Sequence, residues 1–205
     1  MNYGIYNEKL TIILVSFHSN HIIENLINTL EKNIRIIVVE NSLNKEIKPY
    51  LEKKFKNVQV IIPKENLGQG GGINFGLSLV KTEFSLYLDV DTVPDQDMIE
   101  ILLKNAEKIK NFSILAPKVK NLNYTDELYI EHNKDKNCHK MKFITGCALL
   151  FNMKILNKIG HFDENIFLYY EEHDLYYRCL KFGFAIYLID DAKLIHHGSS
   201  SINKN

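Results

Sequence analysis

The chain has 205 residues, 45% of them hydrophobic and 24% charged, enough for one substantial core rather than a small stapled scaffold. With only 4 prolines and 10 glycines the composition argues against a long disordered arm. Lysine plus arginine equals aspartate plus glutamate at 25 each, which leaves no basic footprint for a nucleic-acid partner.

The N-terminus lacks a basic stretch followed by an apolar core, so no signal peptide is expected, and no apolar run approaches the ~18 residues of a membrane span. Residues 10–17 are almost continuously apolar and read as a strand buried on both faces. Ile22, Ile23, Leu26, Ile27 and Leu30 then recur at helical spacing. Residues 35–40 form a second strand ending in Glu40-Asn41-Ser42, a helix is predicted over about 46–56, and residues 58–62 make a third strand stopped by Pro63. This alternation implies a parallel sheet with right-handed crossovers.

Residues 66–76 are dense in glycine and read as a loop opening a helix that runs to about Val80. Glycine lets backbone approach a ligand, and free N–H groups at a helix start favour anions. The loop is not a P-loop, lacking Gly-Lys-Ser/Thr, and Ile73 stands where a dinucleotide fingerprint needs its third glycine. A plain flexible turn would have the same composition. Residues 84–88 then run as an apolar strand into Asp89-Val90-Asp91. Paired carboxylates at a sheet's carboxyl edge lie where open α/β folds bind ligands, and they suit Mg²⁺ or Mn²⁺. The same residues could instead form an acidic turn capping the next helix.

A helix is predicted over about 95–110, a short strand over 113–117, and a polar surface excursion over 119–142 with a hairpin near Tyr129. Residues 143–151 read as strand, bend and strand around Gly146, followed by a short helix over 153–159. Tyr169 opens a helix continuing to Phe182 and ended by Gly183. At ~100° per residue, Glu172 falls in the middle of its apolar arc and Glu171 at the edge. An inward carboxylate needs a partner or a task, so Glu172 is the candidate general base; a structurally satisfied carboxylate is the other reading. Asp174 and Arg178 are expected as an exposed i, i+4 pair. A last strand over 185–189 leads through Asp190-Asp191 to His196-His197-Gly198, where alternation lets one histidine face the cleft. His18, His21, His132, His139, His161 and His173 read as surface residues. Cys138, Cys147 and Cys179 lack Cys-x-x-Cys spacing and read as reduced thiols of a cytosolic protein.

An ordered set of motifs now spans roughly residues 10 to 201. It comprises Val15-Ser16-Phe17-His18, Val38-Val-Glu40-Asn41-Ser42, Asn66-x-Gly68…Asn74-x-Gly76 and Leu88-Asp89-Val90-Asp91. Gly146 to Phe151, Gly160-His-Phe-Asp163, Tyr170-Glu-Glu172-His-Asp-Leu175 with Arg178, and His196 complete it. The set resembles the family-2 glycosyltransferases of GT-A fold, particularly their bacterial rhamnosyltransferase-like branch. The resemblance implies a Rossmann-like three-layer α/β/α sandwich with a mostly parallel central sheet. One domain over 1–205 is implied, its nucleotide-binding half about 9–91 and its acceptor and catalytic half about 92–205. It implies inverting, metal-dependent transfer of a sugar from a nucleoside-diphosphate donor, UDP- or dTDP-linked, to a hydroxyl of a glycan or lipid-linked acceptor. Cell-surface polysaccharide synthesis, in the cytoplasm or peripheral to the inner face of the membrane, would be the setting.

By the same resemblance Ser16, Phe17, Glu40 and Asn41 would hold the nucleoside. Asn66, Gly68, Gly71, Asn74, Asp89 and Val90 would line the donor site. Asp91 and His196 would bind Mn²⁺ or Mg²⁺, and Glu172 would be the base. Glu40 and Glu172 stand where relatives usually carry Asp, which shifts each carboxylate by one carbon. Relatives usually continue beyond the histidine segment. The stop at Asn205 fits a minimal transferase, a shortened chain, or one completed by a partner chain or a second copy. Two other readings are a sugar nucleotidyltransferase, for which only Lys64 lies near the glycine-rich segment, and a sugar-nucleotide-binding protein of weak turnover.

Overall fold

Alternation along the first strand, β1 (Leu10–Ser16), creates the layers of this computed structural model, which describes residues 8–125, 128–131 and 137–198. Successive side chains of a strand point to opposite faces. Leu10, Ile12 and Leu14 accordingly enter one core, and Ile13 and Val15 the other. In β2 (Arg35–Glu40), Ile36 and Val38 join the first core, and Ile37 and Val39 the second. Helices α1 (Asn20–Thr29), α2 (Ile47–Lys54) and α4 (Met98–Lys108) cover the first face. Helices α3 (Gly68–Leu77), α5 (Met153–Ile159) and α6 (Glu171–Lys181) cover the second, giving an α/β/α sandwich.

The remaining strands are β3 (Val58–Ile61), β4 (Phe84–Asp89), β5 (Thr92–Pro94), β6 (Phe112–Val119), β7 (Tyr129–Glu131), β8 (Cys138–Met141), β9 (Ala148–Asn152) and β10 (Ala185–His196). Among the described residues all join one sheet of order β3-β2-β1-β4-β9-β6-β10-β8-β7, with β5 paired to β10. The first half is parallel as expected. The second is mixed, because β9 enters antiparallel between β4 and β6, and the β7–β8 hairpin adds antiparallel to β10. The expectation of a mostly parallel sheet therefore holds for the half that carries β1 to β4. The three cysteines are free, and among the described residues no helix is long and apolar enough to cross a membrane.

Three local expectations change. The glycine-rich stretch is helix, not loop: α3 begins at Gly68. Its glycines let the helix lie close on the sheet, since a Cβ at Gly72 would come within 2.9 Å of Val15 and one at Gly76 within 2.7 Å of Ile13. Arg178 does more than pair with Asp174: its guanidinium also donates to the carbonyls of Ile159, Gly160 and His161 and clamps the turn after α5. His139 is buried, not on the surface, edge-on to the Tyr129 ring with Nε2 3.3 Å from Asp190. His132 lies outside the described residues.

Candidate metal and donor site

Because β1, β2 and β4 are parallel, their carboxyl ends share one edge, and the register sets Ser16 beside Glu40 and Val15 beside Asp89. Strand order changes direction around β1, the place where open α/β sheets form a crevice. Asp89 closes β4. After the turn, β5 pairs antiparallel with the end of β10, bringing His196 opposite Thr92. That pairing requires β10 to run past Asp190-Asp191, where the sequence suggested an interruption. A register shift between Ile189 and Lys193 absorbs the extra residues and re-aims the strand. The Asn121 side chain fixes the strand end by bonding both the N–H and the carbonyl of His196.

The result is a cluster. One ligand atom each from Asp89, Asp91 and His196 lies within 4.8 Å of the others. His196 Nε2 is 3.1 Å from Asp91 Oδ1 and 3.4 Å from Asp89 Oδ2. Burial pushes the Asp89 carboxyl up to about 6, against the pull of the Tyr87 hydroxyl and His196. Contact with Asp91 holds the His196 imidazole above its ordinary value, against burial. Two carboxylate oxygens and one imidazole nitrogen make a mixed hard-donor set that fits Mn²⁺, or Mg²⁺ with further oxygens from water and phosphate. His197 points to solvent, so one histidine of the pair faces the cluster.

The nucleoside-side candidates sit along the same edge. Glu40 is wholly buried; its Oε1 accepts from the Ser42 backbone and hydroxyl, while Oε2 has no partner. The buried Ser16 hydroxyl also lacks one. Phe17 is exposed, edge-on to His18, and Val90 is buried. Asn41 and Asn74 use their amides inside the protein. Asn41 bonds the Gly68 carbonyl at 2.7 Å, and Asn74 bonds Phe162 through both its amide and its carbonyl. At the start of α3, Gly68 N–H donates to the Asn66 side chain and Gln69 N–H to the Phe167 carbonyl. Gly68, at φ +69°, touches Phe167 so closely that a Cβ would meet its carbonyl oxygen at 2.1 Å. Asn66, Gly71 and Asn74 line a groove of about 980 Å³ that includes none of Asp89, Asp91, His196 or Glu172.

Of the two glutamates opening α6, Glu171 is the buried one, with Oε2 unpartnered, and Glu172 is partly buried. This reverses the order expected from the helical arc. Gly70 of α3 leaves room for the Glu171 stem, whereas Glu172 lies over Gly146. Burial raises the Glu171 carboxyl, helped by the charges of Glu172 and Asp89. Gly146 precedes Cys147, whose carbonyl accepts the Asp89 N–H at 2.8 Å. Glu172 is thus linked to the Asp89–Asp91–His196 cluster through one dipeptide. His173 Nδ1 is 3.6 Å from Glu172 Oε1, with the Phe143 and Tyr170 rings against the imidazole. The sequence reading missed Tyr87, Gln69 and Asn121. A tyrosine two residues before Asp89 was the one visible hint.

Comparison with known proteins bears on the fold and the family. The chain is 25% identical over 191 residues to a low-salt glycan biosynthesis hexosyltransferase of Haloferax volcanii, covering 83% of this chain and 61% of that protein. It superposes on a GalNAc-T7 crystal structure with UDP, GalNAc and Mn²⁺ with TM-score 0.74 at 13% identity, covering 92% of this chain and 43% of the other. For a Pyrobaculum calidifontis mannosyltransferase with GDP-Man and Mn²⁺ the TM-score is 0.69 at 14% identity, with 94% and 58% covered. These likenesses establish the GT-A fold. The profile of glycosyl transferase family 2 matches residues 11–160, and the chain belongs to that family.

Proposed function

We propose that the chain transfers a sugar from a nucleoside-diphosphate donor to an acceptor hydroxyl with inversion at the anomeric carbon. The observation that carries this reading is the Asp89–Asp91–His196 cluster at the carboxyl edge of the parallel strands, with Glu172 beside it across Gly146-Cys147. Asp91, His196 and Asp89 Oδ2 would hold Mn²⁺ or Mg²⁺, which when bound offsets the charge growing on the departing nucleoside diphosphate. Glu172 takes the acceptor proton as the acceptor oxygen bonds to the anomeric carbon and the bond from that carbon to the phosphate oxygen breaks. One base and one displacement give inversion.

The unpartnered Glu40 Oε2 and Ser16 hydroxyl are polar atoms that a base and ribose would satisfy. UDP- and dTDP-sugars are the donors proposed, although structures of this fold hold UDP in one case and GDP-Man in another. Asn41, Asn66, Gly68 and Asn74 serve by seating α3 and the segment before α6. On the acceptor side, His173 beside Glu172, with the Phe143 and Tyr170 rings against its imidazole, would face a glycan or lipid-linked alcohol. A peripheral position at a membrane and a role in cell-surface glycan synthesis belong to this proposal.

A thermal-shift panel of UDP, dTDP and GDP, each with and without Mn²⁺, tests it. A nucleotide at 100 times its Kd stabilises by roughly 2.7 kcal/mol, and in a domain this size each kcal/mol is worth about 2–4 °C. A metal-dependent rise with one base is expected. No rise with any nucleotide and Mn²⁺ together overturns the assignment.

A further inference from the structure

The Asp89 carboxylate is gripped on one side only. Tyr87, two residues earlier on β4, shares its sheet face and is 1% exposed, and its hydroxyl donates to Asp89 Oδ1. Gln69, in the first turn of α3, donates through Nε2 to the Tyr87 hydroxyl and, at 3.2 Å, to the same Oδ1. Three side chains thus close a ring of hydrogen bonds on a single oxygen. The other oxygen, Oδ2, is the one facing His196 at 3.4 Å.

The terminal torsion of aspartate is broad and roughly two-fold, so an unheld carboxylate presents either oxygen or both. We propose that Tyr87 and Gln69 are positioning residues that pin Oδ1 and leave Oδ2 as the single Asp89 oxygen offered to a divalent cation with Asp91 and His196. The inference rests on the metal reading of the preceding section. Both donors are neutral, so they orient the carboxylate without cancelling the charge that attracts the cation. A cationic donor in either place would compete with it. A hydroxyl buried this deeply is costly to leave unpaired, and Asp89 with Gln69 supplies its partners. Gln69 has a second tie, its N–H to the Phe167 carbonyl at 2.9 Å. The same residue therefore links the cluster to the segment that leads into Glu172.

The probe is Mn²⁺ itself, titrated into the full chain with and without UDP, free ion being read by electron paramagnetic resonance. Wild type, Tyr87→Phe, Gln69→Ala and, as a control, Asp91→Asn are compared, with the metal-free Tm of each. Partners that orient a ligand are typically worth ~10–100-fold in metal affinity, and a loss of that size is expected for Tyr87→Phe and Gln69→Ala. A purely structural role would lower the metal-free Tm and leave the Mn²⁺ affinity of the folded protein unchanged. Should Tyr87→Phe fail to fold, Gln69→Ala, whose side chain is only partly buried, carries the test. Wild-type Mn²⁺ affinity in both variants, or in Gln69→Ala alone where Tyr87→Phe does not fold, overturns the proposal while the metal site stands. Absence of Mn²⁺ binding by the wild type, with UDP or without, overturns the metal reading and this inference with it.

Discussion

Two adjacent glutamates differ in burial. Glu172, the proposed base, is 23% exposed over Gly146. A positioned general base contributes typically ~10²–10⁴-fold, so Glu172→Gln is expected to cut kcat by that order while nucleotide Kd stays within about 3-fold. Single-turnover rates with whichever nucleotide sugar the panel selects check it, and near-normal turnover ends the assignment. Glu171 is the opposite case: a buried carboxyl with one unpartnered oxygen and a pKa raised by burial. Between its ordinary value and that raised value the folded state holds more protons than the unfolded, so stability falls as pH rises through that window. Glu171→Gln should therefore raise the metal-free Tm at pH 7, with the gain shrinking as pH falls through that window and gone below the ordinary carboxylate value, where both states are neutral. Identical melting of the two proteins at pH 7 would remove the buried-charge argument.

Helix α3 shows how an element can be legible in composition and misread in conformation. Five glycines between 68 and 76 look like a loop, because each costs roughly 1 kcal/mol of helix propensity. The helix forms because Gly72 and Gly76 let its backbone settle onto Val15 and Ile13 of β1, and burial there outweighs propensity. Gly76→Ala gains up to about 1 kcal/mol of propensity but drives a methyl into the wholly buried Ile13, and overpacking typically costs ~1–3 kcal/mol. A net loss on the order of 1 kcal/mol is expected in urea titration. Ser78→Ala, at the exposed end of the helix, is the neutral comparison. Helix α6 was legible in its bounds, since apolar spacing and Gly183 are local signals. Which glutamate it turned inward depended on the space that Gly70 of another helix left beside it.

At the scale of the molecule, the parallel half carrying β1 to β4 brings Asp89 to the sheet's carboxyl edge, and the mixed half brings His196 to it. If the chain transfers sugars, the metal-dependent product from the donor is a nucleoside diphosphate. Anion-exchange chromatography of the reaction should show it, and pyrophosphate in its place would favour nucleotidyl transfer. The chain spans 61% of the length of the curated relative described above, so the whole protein's acceptor belongs to the same proposal.

Most strand and helix positions and the Asp-x-Asp strand end were determined by the sequence alone. Apolar periodicity and a carboxylate ending a buried run act over a few neighbouring residues. The tertiary structure alone decided that β9 enters antiparallel and that the glycines are helical. It also decided that Asn41 and Asn74 act as internal latches, that a bulged β10 brings His196 to Asp91, and that Tyr87 and Gln69 grip Asp89. Each of those depends on side chains from distant segments competing for the same space and the same hydrogen bonds, and no local pattern encodes that competition.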